Sequence, residues 1–216
     1  MGAWFLAVQA EITLDLLRQW PAATVVDVGG GHGQLVAPLI AAGHRVTVYG
    51  SSEECRQGVR RWVESGVAVF QAGDLLHTSF ADGAFDVALA YRLLPHVDQW
   101  RGLLTEMCRI ARRAVIVDYP TTRSLNVAAA PAFGLKKRVE VGTRPFAVFR
   151  DRDVEGALAA AGWKVTARRP EFLLPMALHR AVRWAALSRT LEAAASALTL
   201  TRRFGSPVIL RAEPRG

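Results

Sequence analysis

The chain has 216 residues, 51% hydrophobic and 21% charged, a balance that excludes a disordered chain and suits one self-contained α/β domain. Its formal charge of +8 includes the runs Arg112-Arg113, Lys136-Lys137-Arg138, Arg168-Arg169 and Arg202-Arg203, which are short, lack interleaved aromatics that stack on bases, and are read as solvated surface. Two cysteines exclude a disulfide framework or Cys-based zinc site, no uninterrupted apolar run reaches the ~20 residues of a membrane span, and Met1–Ala10 does not read as a secretion signal, so a cytoplasmic location is expected.

The first element is a short amphipathic helical segment within residues 1–20 that carries Trp4, Phe5, Leu14, Leu16 and Leu17. A β-rich run, Thr24–Val28, then enters a glycine cluster and a helical pattern over Gln34–Ala42. Arg45–Tyr49 reads as a strand, Glu53–Val63 as a helix, Val67–Gln71 and Asp86–Ala90 as strands, Trp100–Arg109 as a helix and Ala114–Asp118 as a fifth strand. Apolar strands alternating with helices predict a parallel sheet covered on both faces. Val154–Ala161 is expected to be a helix closed by Gly162 in the left-handed position, followed by strands Trp163–Ala167 and Pro207–Arg211. Between those strands, Met176–Phe204 is helical, and its apolar face changes phase near Ala186, which predicts two helices with a bend.

In Asp27-Val28-Gly29-Gly30-Gly31-His32-Gly33 an acid at the strand end is followed by glycines at alternate positions, which permit a sharp turn and a close approach of backbone to ligand. The dinucleotide spacing G-x-G-x-x-G would need a glycine where Gln34 stands, which opposes a nicotinamide oxidoreductase. D-x-G-x-G-x-G instead resembles the first motif of class I S-adenosylmethionine-dependent methyltransferases, and the resemblance extends over residues 24 to about 170. It implies a Rossmann-like α/β fold with a mostly parallel seven-stranded sheet, helices on both faces, and inserted helices covering the acceptor site. One domain, 1–216, is expected: an N-terminal helical segment 1–20, a donor-binding core 24–170, inserted helices 172–205 and a last strand 206–212.

The resemblance assigns the methionyl part of S-adenosylmethionine to Asp27, Gly29, Gly31 and Gly33. The family's ribose-binding acid falls on Gly50, so Ser51, Ser52 or Glu53 must supply the missing hydrogen bonds, although Ser52 and Glu53 also resemble a helix N-cap. Asp74, followed by Leu75, is expected at the adenine, whereas Asp86 reads as structural. After the fourth strand, Tyr91, Arg92 and His96 can face both donor and acceptor. His96 is the candidate base for a hydroxyl proton or else packs against the next helix, and Tyr119 can line the acceptor pocket.

The acceptor cover is expected from Trp4–Leu17, Arg123–Arg150 and Met176–Phe204, whose apolar content suggests a small apolar or aromatic acceptor. Methylation at oxygen is preferred over nitrogen or carbon; S-adenosylhomocysteine is the co-product, and neither a metal nor a nucleic-acid partner is required. The alternatives are a donor-binding protein without catalysis, suggested by Gly50, and an RNA methyltransferase, suggested only by charge.

Overall fold

The computed structural model describes residues 2–124, 147–173, 192 and 200–216. Helix α1 (Gly2–Leu17) leads into β1 (Thr24–Val28), α2 (Val36–Ala41) and β2 (Arg45–Gly50). A 3-10 helix (Glu53–Val59), α3 (Arg60–Glu64), β3 (Ala68–Ala72) and β4 (Phe85–Ala90) follow. A second 3-10 turn (Leu94–His96), α4 (Trp100–Ile110), β5 (Ala111–Tyr119), α5 (Asp151–Ala160), β6 (Trp163–Pro170), α6 (Leu200–Phe204) and β7 (Val208–Pro214) complete the described chain.

The seven strands form one sheet in the order β3-β2-β1-β4-β5-β7-β6. β1 to β5 run parallel, while β7 lies antiparallel between β5 and β6. Central strands read as continuous apolar runs because both sheet faces are covered. In β1, Val26 and Val28 pack toward Leu103, Leu104, Met107 and Ile110 of α4, whereas Val25 joins Leu16, Leu17, Leu35, Val36 and Leu39 on the opposite face. The chain winds outward from β1 through β2 and β3, then returns to β4 on the other side of β1. That reversal opens a crevice at the carboxyl ends of β1 and β4, where open α/β sheets hold ligands.

Several expectations are modified. The helix expected over Glu53–Val63 is a 3-10 helix followed by the short α3. A Cβ on Gly58 would sit 1.9 Å from the Gly31 carbonyl oxygen, so this segment is seated directly on the glycine loop. The last two strands are longer than expected, because each completes an antiparallel ladder running from Trp163↔Pro214 to Pro170↔Val208. Gly162 has φ +82° just beyond α5, as a left-handed helix end requires.

The basic runs are not simply solvated. Arg112 and Arg113 both pair with Asp86, and Arg168 pairs with Asp151 and Glu155. Asp86 also accepts from the Thr24 amide and hydroxyl, tying the starts of β1 and β4 to β5, a structural role. Lys136 to Arg138 and the bend near Ala186 lie outside the described residues. Among the described residues no helix is long and apolar enough to cross a membrane.

Candidate functional site

The glycine loop is shaped by what presses on it. Gly29 takes φ +74° and donates its amide to the Tyr49 carbonyl at 2.8 Å, fixing the loop to the end of β2. A Cβ on Gly30 would lie 2.2 Å from the Asp27 carboxyl group, and one on Gly31 would lie 2.9 Å from the Cys55 Cβ. Side chains are thus excluded on both flanks of the loop. Beside it lies a cavity of about 810 Å³, walled by Asp27, the backbone of Gly29 to Gly31, Ser51, Glu54, Cys55 and Leu75 on one side. Tyr91, Arg92, Leu93 and His96, from the loop after β4, form the other side.

Asp27 is 2% exposed, and burial pushes its carboxyl up to about 7, with the Arg92 guanidinium partly opposing the rise. Arg92 has φ +54°, a left-handed conformation that costs a non-glycine residue about 1–3 kcal/mol unless its surroundings hold it. The holding contact is visible: its amide donates to Asp118 Oδ1 at 2.5 Å. Beneath the cavity, Gln9 of α1 donates through Nε2 to Asp118 at 3.3 Å and to Glu171 at 3.1 Å. Gln34, a cavity residue, donates to Gln9 Oε1 at 3.1 Å, and the Thr13 and Tyr91 hydroxyls share a 2.6 Å hydrogen bond. Burial raises Asp118 to about 6 and Glu171 to about 8, the latter helped by the neighbouring Asp118 charge.

The structure brings Asp27, Gly29, Gly31, Ser51, Leu75, Tyr91, Arg92 and His96 to this one cavity. Four other candidates stand elsewhere. Gly33, at φ +64°, is where the loop backbone meets the Trp62 ring and the Gly58 carbonyl. Ser52 precedes the 3-10 helix, with its hydroxyl 3.9 Å from Cys55 Sγ. Asp74 turns back on its own loop, accepting from the Leu76 amide at 2.8 Å and contacting His77 Nδ1 at 3.1 Å. Tyr119 is fully buried and donates to Asp151 at 3.3 Å, so it belongs to the core.

Sequence reasoning missed Gln9, Thr13, Gln34, Glu54 and Cys55. Gln9 and Thr13 are spaced i, i+4 on one face of α1, away from the exposed Glu11 and Asp15, a signal that could have marked a buried polar face. Glu54 was detectable only as an acid close behind Gly50. Gly50 itself has a physical reason: a Cβ there would lie 2.7 Å from the Cys55 Cβ and 3.1 Å from the Phe70 ring.

Comparison with known proteins bears on the fold and on residues 26–117. Residues 26–117 match a family model described as a methyltransferase domain. The chain is 31% identical over 105 residues to an O-methyltransferase of Pyrenophora dematioidea, covering 46% of this chain and 39% of that protein. It is 34% identical over 115 residues to a demethylmenaquinone methyltransferase of Roseiflexus sp. (strain RS-1), covering 47% of this chain and 48% of that protein. The chain therefore spans less than half the length of either curated relative. Among solved structures, magnesium protoporphyrin IX methyltransferase from Synechocystis PCC 6803 with bound SAH superposes with TM-score 0.68 at 17% identity, over 99% of this chain and 84% of that one. Geranyl diphosphate methyltransferase in complex with SAM gives TM-score 0.65 at 21% identity, over 96% of this chain and 84% of that one. The family model thus accounts for residues 26–117, from β1 to β5, and the solved structures share the chain's fold, a Rossmann-like methyltransferase fold.

Proposed function

We propose that this protein transfers the methyl group of S-adenosylmethionine to a small apolar or aromatic acceptor, at a hydroxyl oxygen. The observation that carries the reading is the cavity at the β1/β4 crevice, where a buried carboxylate and a side-chain-free backbone loop meet. The loop amides suit the donor's carboxylate and Asp27 suits its ammonium. Gly31 lines the cavity directly against Cys55, so any Cβ there would push the cavity wall out of place. Because Gly50 has no room for an acid and Glu53 pairs instead with Arg56 at 3.9 Å, the ribose hydroxyls are assigned to Glu54 and Ser51, which line the cavity. Leu75 packs on the adenine.

When bound, the donor supplies a methyl group already activated on a sulfonium. The chain's contribution is then alignment and proton management. Tyr91, Arg92 and Leu93 fix the wall against which the acceptor sits, and His96 receives the proton that the acceptor hydroxyl gives up as its oxygen bonds to carbon. Among the described residues the cover comes from α1, whose Gln9 and Thr13 reach the cavity residues Gln34 and Tyr91. No metal is needed for this reaction, because the methyl group arrives already activated.

Calorimetry with S-adenosylmethionine and its demethylated product tests the reading. Wild type binds both, whereas Gly31→Val, which drives a branched side chain into Cys55, keeps its far-UV spectrum and loses binding. Absence of binding by the wild type at about millimolar ligand, a free energy near −4 kcal/mol, would sink the proposal. With a panel of phenols and quinols, His96→Ala lowers kcat by about 10²–10⁴-fold and leaves donor affinity unchanged. The absent acid at position 50 favours one rival, a donor-binding protein without catalysis, which would bind but form no demethylated product from any acceptor.

A further inference from the structure

A second cavity, of about 560 Å³, opens on the same edge of the sheet, where β5 and β6 end and β7 begins. Its described lining carries four guanidinium groups, Arg123, Arg168, Arg169 and Arg203, against the single carboxylate of Asp151. Asp151 organises part of this surplus: it accepts from Arg123 at 3.3 Å, Arg168 at 3.2 Å and the Thr121 hydroxyl at 2.8 Å. Arg168 is further held by Glu155. The remaining two cations are not neutralised. Arg169 reaches Asp15 only at 3.8 Å, with both side chains about half exposed, a pairing that contributes little. Arg203 lies over the Phe204 ring at 5.4 Å and meets no carboxylate among the described residues.

A second, independent observation lies in the same wall. Thr201 is 6% exposed, and its hydroxyl oxygen has no hydrogen-bond partner. A buried hydroxyl without a partner is destabilising, so Thr201 at the edge of a cationic cavity points to a ligand that accepts its hydrogen bond. The wall is also closely built. A Cβ on Gly205 would lie 2.5 Å from the Thr201 carbonyl oxygen and 2.9 Å from the Pro170 Cβ, so glycine lets the end of α6 close onto β6.

We propose that this cavity is a binding site for a phosphate-type oxyanion on a small ligand, held by the Arg203 and Arg169 guanidiniums with Arg123 and Arg168 behind them, and accepting a hydrogen bond from Thr201. Guanidinium forks match phosphate oxygens two at a time, and a hydroxyl donor completes the set. The site is separate from the glycine-loop cavity. Two to three strand spacings, roughly 10–15 Å, separate the ends of β1 and β4 from β7. A ligand carrying the oxyanion here and a reacting hydroxyl there would span both.

The test is calorimetry with pyrophosphate at physiological ionic strength, on the free protein and on protein saturated with S-adenosylhomocysteine. One site is expected in both samples. Arg203→Gln and Thr201→Val each weaken it by about tenfold, the loss of one charge-assisted hydrogen bond. Thr201→Val keeps or raises the melting temperature, since it removes an unpaired hydroxyl without changing side-chain shape; a merely structural threonine would lose stability instead. Arg56→Gln, on the far side of the glycine loop, leaves binding unchanged. No binding at about 10 mM, equal binding in both variants, or displacement by S-adenosylhomocysteine would each overturn the proposal. Resting on the methyltransferase reading, one further arm identifies the source: competition between pyrophosphate and a turned-over acceptor assigns the site to the acceptor's own phosphate, and lack of competition assigns it to a separate phosphate ligand.

Discussion

Asp27 joins two roles that oppose each other. It is buried beneath the glycine loop, where Gly30 leaves room for its carboxyl group, and that burial raises its affinity for a proton to about 7. A donor ammonium, however, needs it ionised. Binding must therefore expel a proton at any pH where the free carboxyl still holds one. The affinity for S-adenosylmethionine is expected to rise by up to about tenfold per pH unit below about 7 and to level off above it. Calorimetry at pH values on both sides of about 7, in buffers of different ionisation enthalpy, measures the released proton directly. Asp27→Asn should bind weakly, with a flat profile and no proton release. A wild type that releases no proton at acidic pH would show that Asp27 does not meet the ammonium.

At the scale of elements, α1 is the piece that the sequence conveyed least. Strands β1, β2 and β4 were legible because burial on both faces demands consecutive branched apolar residues. The glycine loop was legible because its acid and spacing are local. Gln9 was not, since its partners Asp118 and Glu171 lie 109 and 162 positions away and nothing in the helix names them. The seating of Gly58 on Gly31 was hidden for the same reason, and with it the replacement of an α-helix by a 3-10 helix. Gln9 supplies one amide to two carboxylates, so Gln9→Ala should cost about 1–3 kcal/mol. The loss should grow as pH rises through about 6 and then about 8, because Asp118 ionises with only the Arg92 amide left to it and Glu171 then ionises without its Gln9 donor. Chemical denaturation at several pH values checks this; a cost independent of pH would mean that Gln9 merely fills space.

Across the whole molecule, buried ionisable groups set two limbs of a stability curve. On the acid side, Asp86 and Glu106 are held below the usual carboxylate range by Arg112 and Arg109 and by Thr24 and Thr78. Their contribution is complete above the unfolded carboxyl value and is lost as pH falls. His44 acts in the same direction: burial lowers its pKa while its neutral Nδ1 accepts from the Ala23 amide at 3.1 Å, so acid must break that bond. On the alkaline side, Asp118, Asp27 and Glu171 retain protons in the fold that the unfolded chain releases near pH 4, so stability falls as pH rises above about 4 and the fall ends only as the three groups pass about 6, 7 and 8. The ligand-free protein should therefore melt highest between about pH 4 and 5, well below neutrality despite a charge of +8. Asp86→Asn should flatten the acid limb, Glu171→Gln the alkaline limb, and saturating S-adenosylmethionine should move the maximum upward by pairing Asp27. Melting temperatures from about pH 2 to about pH 9 test all three shifts, and a ligand-free protein whose stability climbs steadily to pH 8 would show that the buried carboxylates are not the groups in control.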